Sequence, residues 1–302
     1  MLEQGRGRDA PGPSMTAVDR RRSQDQVVAG PALTFTDPVG PAGATHLVLG
    51  HSLGTSAALW AAAVPLLARS FRVMCWDLPG HGHSPAARQA FTIGDLSDGI
   101  VARLEARGVS SFLYAGVSIG GTVGLDLALR HADRIVAAAI VSSGARVDSP
   151  AAWAERAASV RASGTGSLVA GSLRRWFAPS TCALHADRAD RLLRALRDTD
   201  DESYARACEA LADYDVTARL AQVAPPVLAL WGQYDQLVPE RWSAQIARGV
   251  RRGAVRCVPD AAHACPLEQP ETVADQLTTF FGSVCQPRPG TDRSPAGRGD
   301  DM

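Results

Sequence analysis

The sequence predicts an α/β fold, a mostly parallel sheet with helices on both faces and a helical cap inserted late in the chain. Three observations carry this. Short apolar runs of strand length alternate with helical segments; the stretch from about 146 to 222 holds helical segments only; and two Gly-x-Ser-x-Gly pentapeptides each follow a strand-like run. Strands alternating with helices are the pattern of a parallel sheet covered on both faces.

Taken in order, the first strand-like run is 47–49, which leads into Gly50-His51-Ser52-Leu53-Gly54 and an Ala-rich helical segment at 56–68. The run 71–76 ends in the turn Asp77-Leu78-Pro79-Gly80-His81-Gly82-His83-Ser84, and a helix is expected at 95–107. The run 112–115 leads into Gly116-Val117-Ser118-Ile119-Gly120, with a helix over 119–131, and the run 135–142 follows. Segments 153–162, 166–177, 186–196 and 203–211 then read as helices. The sheet pattern resumes at 227–231 behind Pro225-Pro226, with a helix at 240–249, a strand at 255–258 and a helix at 266–281. The expected organisation is a core of 27–145 and 223–285 with a cap of 146–222, a lid that would exclude water from the sheet's carboxyl edge.

Composition narrows the chemistry. At 302 residues and 46% hydrophobic, the chain is long enough for one sizeable core with an inserted lid, or for two domains. All 31 basic residues are arginine, which excludes a Schiff-base lysine, a phosphate-loop lysine and a serine-lysine dyad. The formal charge is zero, and the one basic cluster, Arg20-Arg21-Arg22, reads as part of a solvated tail, so no nucleic-acid partner is expected. No apolar stretch of about 18 residues suggests a membrane span. Residues 1–26 lack the apolar centre of a secretory signal and, like 286–302, read as disordered; Met15 is an alternative start. Six cysteines without a Cys-x-x-Cys spacing, Cys75 and Cys257 inside strand-like runs, read as free thiols in a reducing cytoplasm.

Only one of the two pentapeptides can carry a nucleophile. In such an elbow the serine sits on a strained turn between strand and helix, and the flanking glycines let backbones pass without a Cβ clash. Chain order selects Ser118. The pentapeptides resemble the nucleophile elbow of α/β-hydrolases, a scheme that implies an earlier strand and loop donating one oxyanion N–H, and an acid and then a histidine after the nucleophile. With Ser118 as nucleophile, the first pentapeptide occupies that earlier loop, Leu53 and Ile119 supply the backbone donors, and Ser52 becomes a turn residue of the loop. Of seven histidines only His263 lies beyond residue 185. Asp235 follows the strand 227–231, so it and His263 both stand on loops at the carboxyl edge, where open parallel sheets gather their sites. Asp148, after the preceding strand, and Asp260 are the competing acids. His263 is expected to accept the serine proton while Asp235 fixes its tautomer. A His81 and His83 metal pair is the weaker alternative, since a proline and two glycines mark a tight turn with no third ligand nearby.

These motifs, together with Trp153-Ala154-Glu155-Arg156, Val160-Arg161-Ala162-Ser163-Gly164, Leu173-Arg174-Arg175-Trp176-Phe177-Ala178-Pro179, the segment 202–211, Ser52-Leu53-Gly54-Thr55 and Trp60, make the chain similar to the 3-oxoadipate enol-lactonase family of α/β-hydrolases over roughly residues 30–283. It departs at His51-Ser52, where that family often has Asn-Ser, and in the turn after Gly144. The resemblance implies an α/β-hydrolase fold and hydrolysis of a small carboxylated enol-lactone in aromatic catabolism, with no metal or organic cofactor. A carboxylated substrate wants a cation under the cap, which holds eleven arginines and eleven acids between 146 and 222. Arg156, Arg161, Arg174 and Arg175 accompany the matched motifs, and Ser52, Trp153 and Trp176 are candidates to contact substrate. The same triad serves carboxylesterases, other lactonases and cofactor-free haloperoxidases or perhydrolases, and it persists in some small-ligand receptors.

Overall fold

Seven strands form a single sheet: β1 (Thr34–Phe35), β2 (His46–Gly50), β3 (Arg72–Asp77), β4 (Phe112–Val117), β5 (Ile135–Val141), β6 (Val227–Gly232) and β7 (Gly253–Val258). Their order is β1-β3-β2-β4-β5-β6-β7, and only β1 runs antiparallel. The computed structural model describes residues 30–285; the expected disordered ends, 1–26 and 286–302, lie outside the described residues. Every residue of β4 is buried, as a central strand covered by helices on both faces must be.

The helices α1 (Val64–Leu67), α2 (Ile93–Glu105) and α3 (Ile119–Arg130) fall between the early strands. Thr92 and Asp95 close a reciprocal capping box at the start of α2. Between β5 and β6 lie α4 (Pro150–Ser163), α5 (Val169–Trp176), α6 (Pro179–Leu184), α7 (Ala186–Asp198) and α8 (Asp201–Ala212). After β6 come α9 (Glu240–Gly249), α10 (Cys265–Glu268) and α11 (Pro270–Cys285). Ser149 caps α4 by accepting from Ala152 N–H, and Asp200 caps α8 through Ser203 N–H. The helical insertion is seated on the turn after β3. Asp200 N–H donates to Gly80 O at 3.0 Å, Ala87 N–H to Ser203 Oγ at 2.8 Å, and Arg206 to Ala87 O at 2.6 Å.

Several elements differ from the sequence expectation. The edge strand β1 has only two residues, too few for a pattern, and pairs with the end of β3. The segment 56–68 is a 3₁₀ turn, Ala57–Trp60, followed by α1, because the Trp60 indole donates to Gly50 O at 2.9 Å and Pro65 restarts the helix. The helix expected at 266–281 is broken at Pro270 into α10 and α11. The segment 166–177 begins as a 3₁₀ turn, Thr165–Leu168, and α6, opened by Pro179, was not expected at all.

The register sets the site. Gly50 pairs with Gly116, which places the two pentapeptides side by side at the carboxyl edge. A Cβ on Gly120 would lie 2.7 Å from the Gly50 carbonyl carbon and 2.8 Å from His51 O, both backbone atoms. We therefore expect Gly120→Ala to cost about 1–3 kcal/mol or more, read as a lower urea midpoint. Gly282→Ala, whose Cβ would meet nothing within 4 Å in α11, should be neutral or stabilising by up to about 1 kcal/mol.

Candidate active site

Ser118 sits between β4 and α3 with φ 56° and ψ −120°, a left-handed backbone that a serine adopts only under constraint. The constraint is visible. Ser118 N–H donates to Val141 O at 2.9 Å, its carbonyl accepts Ser143 Oγ at 2.7 Å, and Gly120 N–H donates to His51 O at 3.2 Å. Among the described residues the N–H groups of Leu53 and Ile119 donate to no protein acceptor, and Ile119, first in its helix, has no partner in the ladder. Two free donors thus flank the serine, the arrangement needed to receive an oxyanion.

Asp235 and His263 meet across the loops after β6 and β7. His263 Nδ1 donates to Asp235 Oδ2 at 2.9 Å, and Asp235 Oδ1 accepts Leu237 N–H at 2.9 Å and Val238 N–H at 3.0 Å. Burial pushes the Asp235 carboxyl up, but the facing imidazole and these donors outweigh it and hold the group below the ordinary carboxylate range. Gly232 permits the meeting, since a Cβ there would lie 2.8 Å from Ala261 O. With Nδ1 committed as donor, Nε2 carries the lone pair toward the pocket. The expected hydrogen bond to Ser118 is not formed. Nε2 lies 3.5 Å from Ser52 Oγ, and Ser118 Oγ has no hydrogen-bond partner among the described residues. Ser52, Leu53, Ser118 and His263 nevertheless line one pocket with Trp153, Arg156, Trp176 and Tyr204 of the insertion.

The loop that carries Leu53 is gripped from both ends by buried imidazoles. His51 Nδ1 donates to Ser52 O at 2.8 Å while its Nε2 accepts Leu78 N–H at 2.9 Å. His81 Nδ1 donates to Pro79 O at 2.9 Å and its Nε2 accepts Gly54 N–H at 3.1 Å. Each ring is neutral, because each Nε2 is an acceptor. Burial, with His51 alongside, pushes His81 down to about 3. His83 is exposed and faces Asp77 at 3.5 Å, so the two histidines of the turn point to different surroundings. No group of three or more potential metal ligands gathers among the described residues.

The insertion separates the candidate arginines. Arg156 lines the pocket, its Nε is buried without a hydrogen-bond partner, and its guanidinium carbon lies 5.8 Å from the Trp153 ring centre and 5.9 Å from that of Tyr204. No carboxylate pairs with it among the described residues. Arg175 donates to Gly171 O, and burial together with the Arg156 charge lowers its pKa. Arg174 is exposed. Arg161 is not a pocket residue: it is exposed and held by Glu202 at 2.8 Å and Glu209 at 2.6 Å, two carboxylates that satisfy its guanidinium. Asp148 stands at the pocket rim with its Oδ1 on Ser149 N–H, and Asp260 is exposed, so neither competes for His263. Tyr204 and Glu268, a buried acid bonded beside His263, escaped sequence reasoning; an acid alone in the otherwise uncharged segment 261–270 was the available signal. Among the described residues no helix is long and apolar enough to cross a membrane.

Comparison with known proteins bears on the family and the fold. Residues 45–270 match the family described as the alpha/beta hydrolase fold. The chain is 29% identical over 245 residues to 3-oxoadipate enol-lactonase 1 of Acinetobacter baylyi, covering 81% of this chain and 91% of that protein. It is 26% identical over 245 residues to the pimeloyl-[acyl-carrier protein] methyl ester esterase of Vibrio atlanticus, covering 78% and 93%. The crystal structure of the enol-lactonase from Burkholderia xenovorans LB400 superposes with a TM-score of 0.78 at 30% identity, covering 83% of this chain and 96% of that one.

The neutral imidazoles make the loop sensitive to acid. His81 titrates at about 3 in the fold against 6.5 ordinarily, so between those values the unfolded chain binds a proton that the folded one does not. Stability therefore falls as pH falls through this window. From pH 7 to pH 5 we expect a loss of roughly 2 kcal/mol from this one ring. Urea midpoints at the two pH values should show a loss that shrinks in His81→Gln, whose amide oxygen can still accept Gly54 N–H.

Proposed function

The chain belongs to the α/β-hydrolase family, and we propose that it is a serine hydrolase opening a small anionic lactone or ester, 3-oxoadipate enol-lactone or a close analogue in aromatic catabolism. One observation carries this reading: the strained Ser118, His263 with Asp235 behind it, and Arg156 without a carboxylate partner among the described residues come together, with Ser118, His263 and Arg156 lining the same pocket. All six cysteines are free, which supports a reducing compartment such as the cytoplasm.

The chemistry follows from the atoms present. Rotation of Ser118 about χ1 brings Oγ to His263 Nε2, which takes its proton as Oγ attacks the lactone carbonyl. Asp235, held ionised, stabilises the imidazolium. The carbonyl oxygen becomes an anion between the N–H groups of Leu53 and Ile119, each such donor being worth about 3 kcal/mol of barrier. Collapse breaks the ring C–O bond and returns the proton from Nε2 to the enolate oxygen. Water, deprotonated by the same nitrogen, then releases the acid, and the enol reverts to the ketone. Arg156 supplies a partly buried cation for the substrate carboxylate. A second reading, an esterase for neutral substrates, draws on the apolar side of the pocket, Val147, Leu237, Val238 and the two tryptophans, and on the esterase relative.

Two tests follow. Ser118→Ala should lower kcat by several orders of magnitude and Ser52→Ala by far less, while Asp235→Asn should cost about 10⁴-fold and Asp148→Asn almost nothing. Loss of acyl-enzyme in Ser52→Ala, with its retention in Ser118→Ala, would reverse the assignment. For substrate class, kcat/KM for a carboxylated enol-lactone should exceed that for its neutral ester, with Arg156→Ala reducing the advantage roughly 10- to 100-fold and Arg161→Ala leaving it intact. Equal turnover of the neutral ester, indifferent to Arg156→Ala, would favour the esterase.

A further inference from the structure

The turn that carries His263 is joined to the helical insertion through one buried carboxylate. Glu268, the last residue of α10, is 3% exposed. Its Oε1 accepts Ala262 N–H at 2.8 Å, and its Oε2 accepts Ala178 N–H at 2.6 Å and Thr181 Oγ1 at 2.8 Å. Ala178 and Thr181 belong to the start of α6, and Ala262 adjoins His263 in the chain. Alongside, the Trp176 carbonyl at the end of α5 accepts both His263 N–H at 3.1 Å and Ala264 N–H at 3.0 Å. Three consecutive backbone donors, 262–264, thus go either to the insertion or to the carboxylate that holds it, and Trp176 itself lines the pocket.

The chemistry of the acceptor is specific. A buried carboxylate is costly unless its oxygens are satisfied. Among the described residues Glu268 pairs with no arginine or histidine; the titratable groups beside it are the Cys182 and Cys265 thiols, whose pKa values are raised by burial and then by the Glu268 charge, and Arg188 reaches only the neighbouring Leu267 carbonyl. Only a group with an acceptor oxygen on each side can take donors from the turn and from α6 at once. Packing alone would be served as well by an apolar side chain.

We propose that Glu268 is a positioning residue that locks the His263 turn to the helical insertion, so that the seat of the insertion and the placement of the imidazole form one structural state. The proposal rests on the serine-hydrolase reading above. It goes beyond it in one respect: the placement of His263 is assigned to a carboxylate outside the Ser118, His263 and Asp235 set, one that is shared with the insertion.

The test uses the full chain. Glu268→Gln keeps the shape but presents an amide NH₂ to one of its donors. We expect kcat per titrated active site to fall on the order of 100-fold for both p-nitrophenyl acetate and the carboxylated enol-lactone, with KM nearly unchanged. Modification of Ser118 by a fluorophosphonate, located by peptide mass mapping, should slow in parallel. Thr181→Val should show a smaller loss in the same direction. A purely structural role would lower the melting temperature and the titratable fraction while leaving kcat per titrated site alone, and that result in Glu268→Gln overturns the proposal. Should Glu268→Gln fail to fold, an unchanged kcat per site in Thr181→Val overturns it instead. Wild-type protein that hydrolyses substrate without labelling at Ser118 would sink the serine-hydrolase reading itself, a separate outcome.

Discussion

Everything at the site depends on how closely two backbones pass at the carboxyl edge of the sheet. β2 and β4 are in register at Gly50 and Gly116, and α3 begins so near the first loop that Gly120 can have no Cβ. Three hydrogen bonds lock the crossing: Gly120 N–H to His51 O, Tyr114 OH to Gly120 O, and the Trp60 indole to Gly50 O. Held this way, Ser118 cannot relax out of its left-handed conformation, and Leu53 N–H and Ile119 N–H stay free beside it. The two Gly-x-Ser-x-Gly segments are therefore halves of one device, the second carrying the hydroxyl and the first carrying a donor.

Charge is distributed by the same logic of satisfied and unsatisfied groups. Acids and bases are equal in number, and many surface arginines are tied: Arg161 to Glu202 and Glu209, Arg130 to Asp98, Arg134 to Glu105. Such exposed pairs are worth little to stability, but they remove cations from the field. Arg156 is left without a counter-ion among the described residues, partly buried against Trp153 and Tyr204. An unpaired guanidinium in partial burial carries a desolvation cost that an anionic partner would offset.

Much of this was legible in the residues. The alternation of apolar runs and helical segments gave the sheet order its parallel character, and chain order alone separated Ser118 from Ser52 and pointed to Asp235 and His263. Other features were hidden for physical reasons. Arg156 and Arg161 are five residues apart on α4, about 140° around the helix, so they face different sides; which side meets the pocket is decided by the packing of α4 on α8. Pro65, Pro179 and Pro270 each restart a helix inside a segment whose apolar pattern continues across the break. Glu268 stands out in the sequence as a lone acid in an uncharged segment, but its role depends on burial, and so on where α6 lands.

The placement of His263 shows how these levels combine. A separation of 3.5 Å to Ser52 Oγ is long for an O–H···N hydrogen bond, so that contact restrains the ring only weakly. The 2.9 Å bond to Asp235, reinforced by two backbone donors on the far oxygen, fixes the tautomer and the plane of the imidazole from the Nδ1 side. The main chain of the same residue is fixed from elsewhere, by the Trp176 carbonyl and the Glu268 carboxylate. A ring anchored at Nδ1 and at its own backbone has its Nε2 confined to a small region of the pocket beside the Ser52 hydroxyl. Ser118 lines the same pocket, and the N–H groups of Leu53 and Ile119, being main chain, are fixed with the backbone that carries them.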